Sequence, residues 1–272
     1  MNANDDRPQN GYGILRRNQA NTTHEIAAEQ VRDLGYAVID SGYTTSQMQE
    51  FSAGFERTRQ AYVSTHGLEA LASLDELNTI RAPLTHGDPV FLKLAMNENL
   101  HSVLNLLILG KYIINQQNGI INPPQQEYNQ GIWHRDLPYQ HFTSSRPLAI
   151  NALFCVDDFT LDNGATFILP ASHKSEAFPS ETYIRKNAIQ VEAKAGAFIL
   201  LDCMIFHRGG YNKTQLERRA VNHVYNIPYF KQQINIPANM SSVTLLPEQQ
   251  SILGFGDVER LSVDDYLSKR KR

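Results

Sequence analysis

From Gly110 onward the chain is a succession of short β-rich runs separated by Gly, Pro, Asn and Asp. The runs are Tyr112 to Ile114, Leu148 to Val156, Thr166 to Leu169, Ala188 to Val191, Ala197 to Leu201 and Ala220 to Ile227. Short strands with turn signals at this spacing favour a barrel or jelly roll. No Gly-rich strand-to-helix phosphate loop and no alternating strand-helix rhythm is present, which argues against a doubly wound nucleotide-binding fold.

The first 110 residues have a different texture, mainly helical. Thr22 or Thr23 caps a predicted helix from about His24 to Leu34, ended by Gly35 before the strand-like Tyr36 to Ile39. Thr44 or Thr45 opens a second helix through about Tyr62, and a third covers Leu68 to Leu77. Asp88 caps a fourth that runs through Phe91, Leu94, Leu100, Val103, Leu104, Leu107 and Ile108. Residues 1–22, rich in Asn, Asp, Gln and Arg, are expected to form a flexible leader. A single domain is expected over 23–260, followed by a charged tail over 261–272.

Composition narrows the function. With 272 residues, 42% of them hydrophobic, the chain can build one sizeable core. The 25 basic and 28 acidic residues leave a net charge of -3, too weak a field for nucleic acid or an anionic membrane as partner. The longest apolar runs fall far short of the roughly 20 residues of a membrane span, and MNANDDRPQN lacks a signal core, so a cytoplasmic location is expected. Cys155 and Cys203 each sit inside an apolar run and are expected to be inert core thiols.

Chemistry concentrates at Trp133-His134-Arg135-Asp136. An imidazole and a carboxylate two positions apart on extended backbone point to the same face and can share one ion. His207, 71 positions after Asp136, is the candidate third ligand of a 2-His-1-carboxylate face. Three such ligands leave the opposite face of an octahedral metal open, which suits non-haem Fe(II) binding a cosubstrate and O2 together. A closed structural zinc site wants four ligands, usually including thiolates, and the two cysteines are not in zinc-binding spacing. Arg218 follows His207 by 11 positions across the turn-like Gly209 to Thr214, at the start of the strand Ala220 to Tyr225. A hairpin of that length returns its guanidinium toward the metal, where the planar fork can bind the far carboxylate of a 2-oxo dicarboxylate. Alternation admits only one of Arg218 and Arg219 to the interior, and the spacing favours Arg218.

Three blocks in this order resemble the phytanoyl-CoA dioxygenase-like branch of the Fe(II)/2-oxoglutarate oxygenases: WHRD at 133–136, DDFTLDNGATFILPASHK at 157–174, and HRGGYNKTQLERR at 207–219. The resemblance covers roughly residues 30–235. It implies a mainly β fold, a cupin-like double-stranded β-helix core flanked by N-terminal helices. It implies Fe(II) held by His134, Asp136 and His207, with 2-oxoglutarate chelating the metal and its distal carboxylate on Arg218. It further implies O2 as cosubstrate, a small organic molecule hydroxylated at a C–H bond, and succinate and CO2 as co-products. The same chemistry ending in desaturation, epimerisation or cyclisation is the alternative outcome. A cupin-like protein holding a non-redox metal is the alternative class, and the Arg218 fork argues against it. Neither the acceptor molecule nor the oligomeric state is legible.

The chain departs from the family pattern at three places. Arg135 stands where many relatives have Gln, Gly209 where many have a small hydroxyl residue, and Phe154 where many have Trp, which predicts an altered pocket wall. Asn122, Gln117 and Asn151 are candidate replacement polar contacts. Related halogenases carry a small residue in place of the metal carboxylate, so Asp136 disfavours halogenation. His173 in LPASHK is expected to be structural, and His141 and His223 to be polar side chains with local partners. Trp133, Tyr139 and Tyr229, on the loops Trp133 to Phe142 and Tyr229 to Asn239, are candidate pocket walls. His134-Arg135-Asp136-Leu137 also imitates the HRDL of protein kinases, yet His141 stands where the kinase metal-binding Asn belongs and no DFG follows.

Overall fold

The computed structural model describes residues 11–137, 139–268 and 270. Residues 1–10 of the expected leader, and 269, 271 and 272 of the expected tail, lie outside the described residues. Residues 11–21 carry no helix or strand.

Helix α1, Thr23–Leu34, begins in a capping box: the Thr22 hydroxyl accepts from the Glu25 amide, and the Glu25 carboxylate accepts from the Thr22 amide. It ends at Gly35 with φ of 85°, a left-handed conformation open to glycine. A Cβ there would also lie 2.7 Å from His173 Nδ1, so the helix end packs directly against the frame of the site. The chain continues through β1 (Tyr36–Asp40), α2 (Thr45–His66), α3 (Leu68–Ser73) and β2 (Thr79–Arg81). The helix predicted from Asp88 is two helices, α4 (Pro89–Ala95) and α5 (Glu98–Leu107). The break is at Asn97, whose side chain caps α5 by accepting from the Leu100 amide and donates to the Ser41 carbonyl.

Seven further strands follow: β3 (Ile113–Asn122), β4 (Ala149–Cys155), β5 (Thr166–Ile168), β6 (Ile189–Val191), β7 (Ala197–Asp202), β8 (His207–Arg208) and β9 (Arg218–Asn226). All pairs within the two sheets are antiparallel. One sheet has the order β1-β7-β4-β9-β3-β2, the other β6-β5-β8. Together they form a jelly roll. Strand β3 runs eight residues beyond the predicted Tyr112 to Ile114, because its amide-rich stretch stays in register with β9 as far as Asn122↔Arg218 after a bulge at Ile114/Gln116. Among the described residues four short helices lie in the C-terminal part: α6 (Glu181–Asn187), α7 (Ile236–Asn239), α8 (Pro247–Ile252) and α9 (Val263–Ser268).

Strand alternation divides the apolar residues between two cores. Phe198 and Leu200 of β7, Ala152 and Phe154 of β4, and Val221 and Tyr225 of β9 face outward and pack under the N-terminal helices with Phe51, Phe55, Leu94 and Leu104. Ile199 and Leu201, Cys155 and Ala220 face inward, toward Phe159, Ile168 and Ile205. Both cysteines are free and buried, as expected. The turn before β5 joins the sheets: Gly164 has φ of 79°, and a Cβ there would lie 2.3 Å from the Gly210 carbonyl oxygen. No helix among the described residues is long and apolar enough to cross a membrane.

The outer core contains one buried imidazole. His223 accepts at Nε2 from the Gln117 amide at 2.8 Å and donates from Nδ1 to the Ala152 carbonyl at 3.1 Å. Burial depresses its pKa to about 4, because a second ring proton would be desolvated and would face an N–H donor. The unfolded chain takes up that proton near pH 6.5, so stability present above pH 6.5 is lost as pH falls toward 4, by up to about 3 kcal/mol. Chemical denaturation across this window is expected to show that decline, with a shallower slope in His223→Gln; equal slopes would contradict the assignment.

Candidate active site

Two extended segments cross at the mouth of the smaller sheet. His134 and His207 form a reciprocal antiparallel bridge, each amide donating to the other's carbonyl at 3.0 and 3.1 Å. Two residues on, the Asp136 amide donates to the Cys203 carbonyl at 3.0 Å. The backbone is thus extended through the HxD segment, and period-two alternation puts both side chains on one face. His207 arrives opposite them, with the two imidazole centroids 4.3 Å apart.

The histidines are oriented alike. Nδ1 of His134 lies 2.7 Å from the Ile132 carbonyl and Nδ1 of His207 lies 3.1 Å from the Ile205 carbonyl. A carbonyl only accepts, so each Nδ1 carries the proton and each Nε2 presents a lone pair. The two Nε2 atoms stand 3.9 and 3.6 Å from Asp136 Oδ1. All three ligand atoms fall within 4.8 Å of one another, and no other such group of His, Cys, Asp and Glu occurs among the described residues. Burial lowers the pKa of His207, which favours the neutral imidazole that a metal needs. Asp136 Oδ2 accepts from Asn151 Nδ2 at 2.9 Å, which aims Oδ1 at the histidines.

Behind the triad a cavity of about 40 Å³ is lined by His134, His207, Asn151, Tyr128, Thr166 and Arg218. Tyr128 and Gly209 also line an open groove of about 480 Å³. Arg218 points inward from β9, 2% exposed, with its guanidinium 3.8 Å from the Phe159 ring centre. Its Nη2 donates to the Tyr128 hydroxyl at 3.4 Å, while Nε and Nη1 have no protein partner. Burial lowers the Arg218 pKa and raises that of the Tyr128 phenol. Arg219 points outward and binds Asp157 through both carboxylate oxygens and Glu56 at 2.8 Å. The site thus presents three convergent metal-ligand atoms and, across a small cavity, a buried cation with two free N–H groups.

Of the candidate replacement contacts, only Asn151 reaches the triad. Asn122 donates to the Gly210 carbonyl at 2.9 Å and ties the turn. Gln117 lies in the outer core with His223. Phe154 lies there too, against Phe51 and Phe198, so it forms no wall of the inner cavity: the strand's parity turns it outward. His173 Nε2 contacts the Arg32 carbonyl at 3.1 Å, a structural tie as expected, and His141 is exposed. Tyr229 is 94% exposed beside a separate groove, Tyr139 is exposed, and Trp133 leans on Phe178.

Two residues that shape the site had no role legible in the sequence. Tyr128 lies in an aperiodic Pro- and Gln-containing segment, and only the unusual Gly209 opposite it could have drawn attention. Arg135, between the two candidate ligands, is buried and donates to the carbonyls of Gln140, Glu176, Ser172 and Ser175 while lying 3.9 Å over Phe206. A guanidinium can satisfy this many acceptors in one plane and an ammonium cannot. Arg135→Leu leaves those carbonyls unpartnered and is expected to destabilise the fold by about 2–4 kcal/mol, with Arg135→Lys recovering little. Urea unfolding checks this; a loss below about 0.5 kcal/mol would contradict it.

A double-stranded β-helix with a 2-His-1-carboxylate cluster defines the non-haem oxygenase class. The chain belongs to the phytanoyl-CoA dioxygenase family, whose model matches residues 31–220, and so to the Fe(II)/2-oxoglutarate-type oxygenases. An uncharacterized protein of Mycobacterium tuberculosis is 27% identical over 254 residues, covering 90% of this chain and 92% of its own. EctD from S. alaskensis, crystallised with 2-oxoglutarate and 5-hydroxyectoine, superposes with a TM-score of 0.62 at 21% identity, over 73% of this chain and 74% of that one. The alpha-ketoglutarate-dependent epimerase SnoN from nogalamycin biosynthesis gives 0.59 at 16% identity, over 82% and 90%. These two likenesses concern the fold.

Proposed function

We propose that this protein is an Fe(II)- and 2-oxoglutarate-dependent dioxygenase that hydroxylates a C–H bond of a small organic molecule, within a single catalytic domain spanning 23–260. His134, Asp136 and His207 are the metal ligands and Arg218 binds the distal carboxylate of 2-oxoglutarate. The observation that carries this is the pairing of the triad, its ligand atoms within 4.8 Å of one another, with a buried guanidinium whose Nε and Nη1 lack partners. A buried cation without a counter-charge is costly, and a carboxylate bound from solution relieves that cost. A metal-binding module with no dicarboxylate to hold has no use for it.

Bound Fe(II) with 2-oxoglutarate and O2 supplies the oxidising chemistry, in which 2-oxoglutarate becomes succinate and CO2 and one oxygen atom enters the substrate. The chain's own part is positional. The carbonyls of Ile132 and Ile205 fix both imidazoles with Nε2 forward, and Asn151 holds the carboxylate from behind. His134, Asp136 and His207 would hold the ion through three protein atoms and leave it positions for cosubstrate and oxygen. Arg218, with Phe159 beneath it, sets the far end of the cosubstrate and thereby its orientation. Hydroxylation is the outcome that asks least of the protein, since it needs no second acid or base at the target carbon. Epimerisation would need a further group placed to return a hydrogen to the opposite face of the target carbon.

Anaerobic addition of Fe(II) and then 2-oxoglutarate to the metal-free protein is expected to produce a weak visible charge-transfer band. That band is lost in Asp136→Ala and needs much higher 2-oxoglutarate in Arg218→Ala. Admission of O2 then releases succinate. No band in the unaltered protein, together with tight Zn(II) or Ni(II) binding, would contradict the proposal and favour a non-redox metal protein.

A further inference from the structure

Gly209 is a glycine for a reason its own backbone does not supply. Its φ lies outside the left-handed region, so a side chain there meets no conformational strain. What excludes one is Tyr128: a Cβ on residue 209 would lie 2.0 Å from the phenol oxygen and 2.8 Å from the ring carbon that bears it. The phenol therefore occupies the space that a small side chain at 209 would fill, two residues after His207. The segment that delivers it is fixed in place. The Gly209 amide donates to the Gln130 carbonyl at 2.7 Å, and the 3-10 turn Asn129–Gly131 is closed by the Gly131 amide donating to the Tyr128 carbonyl at 2.9 Å.

The phenol's hydrogen bonding is half complete. It accepts from Arg218 Nη2 at 3.4 Å, and its own O–H has no acceptor among the described residues. A buried guanidinium is rarely left so, and the half-buried phenol stands beside it at the edge of the open groove. Three donors, the phenol O–H with Arg218 Nε and Nη1, belong to residues that line the same cavity as His134 and His207. A carboxylate, with about four lone-pair sites, matches them.

We propose that Tyr128 is a cosubstrate-binding residue: its phenol O–H joins Arg218 in holding the distal carboxylate of 2-oxoglutarate, from the space vacated by the missing side chain at Gly209. This rests on Arg218 binding that carboxylate, as proposed above. Residues 128 and 209 then compete for one position, and a hydroxyl at either serves the same carboxylate.

The test is calorimetric titration of the Ni(II)-loaded protein with 2-oxoglutarate and with 2-oxopentanoate, which keeps the 2-oxo acid head but ends in a methyl group. The unaltered protein favours 2-oxoglutarate. Tyr128→Phe is expected to weaken 2-oxoglutarate by about tenfold or more, the worth of a hydrogen bond to a charged group, and to leave 2-oxopentanoate unchanged. Gly209→Ser alone also weakens 2-oxoglutarate, because the Ser side chain and the phenol then crowd one space and neither hydroxyl can take the position that serves the carboxylate. Combined with Tyr128→Ala, which clears the space, Gly209→Ser recovers affinity that Tyr128→Ala loses. Tyr128→Phe that binds 2-oxoglutarate like the unaltered protein, or that loses both acids equally, overturns the inference. A distinct failure, equal affinity of the unaltered protein for the two acids, removes the Arg218 assignment and this inference with it.

Discussion

The reciprocal backbone bridge between His134 and His207 is the contact on which the site depends. It is the hydrogen-bonded kind of antiparallel pair, in which two residues exchange both N–H···O bonds and their side chains stand side by side. A one-residue slip of the 134–136 segment would turn His134 and Asp136 together to the other face and leave His207 alone, and a slip of the His207 segment would part it from both. Much of the surrounding structure prevents that slip. The Asp136 amide is bonded to Cys203, the Leu169 amide to Phe206, and the Phe206 amide to the Ser172 hydroxyl. Arg135 binds the carbonyls of the 172–176 loop from between the two candidate ligands. Precision at the site comes from main chain and from Arg135, which faces away from the triad.

The N-terminal helices belong to the same scheme. The end of α1 receives the Ala171 amide at Leu34 and the Asp202 amide at Gly35, and accepts His173 at Arg32. These ties bind the helical layer to the loops that carry the site. The large sheet is buried on both faces: the helix-side core rigidifies it, and the inner face is left to carry polar groups such as Asn151, Asn222 and Arg218. Polar groups at this depth are tolerated because the outer core supplies the hydrophobic stabilisation.

The site was more legible in the sequence than the fold around it. His134 and Asp136 could be paired because period-two alternation is a rule of extended backbone, and Arg218 could be separated from Arg219 by the same parity. Parity applied to Phe154 would have turned it away from the cavity, and there the family comparison misled. The extension of strand β3 beyond Ile114 was missed because Asn115 to Asn118 are poor strand formers; pairing with β9 overrides propensity. The Asp88 helix was read as one because its apolar period continues across Asn97, where the side chain caps a new helix at Leu100 and ties it to Ser41. Tyr128 left no local signal at all, since its role is set by an empty place on another segment.

The central claim, one metal held by His134, Asp136 and His207, is tested most directly by X-ray absorption spectroscopy of the Fe(II)-loaded protein with 2-oxoglutarate under anaerobic conditions. Six oxygen and nitrogen neighbours with outer-shell scattering from two imidazoles is the predicted result. A sulfur neighbour, or an imidazole count other than two, would contradict it.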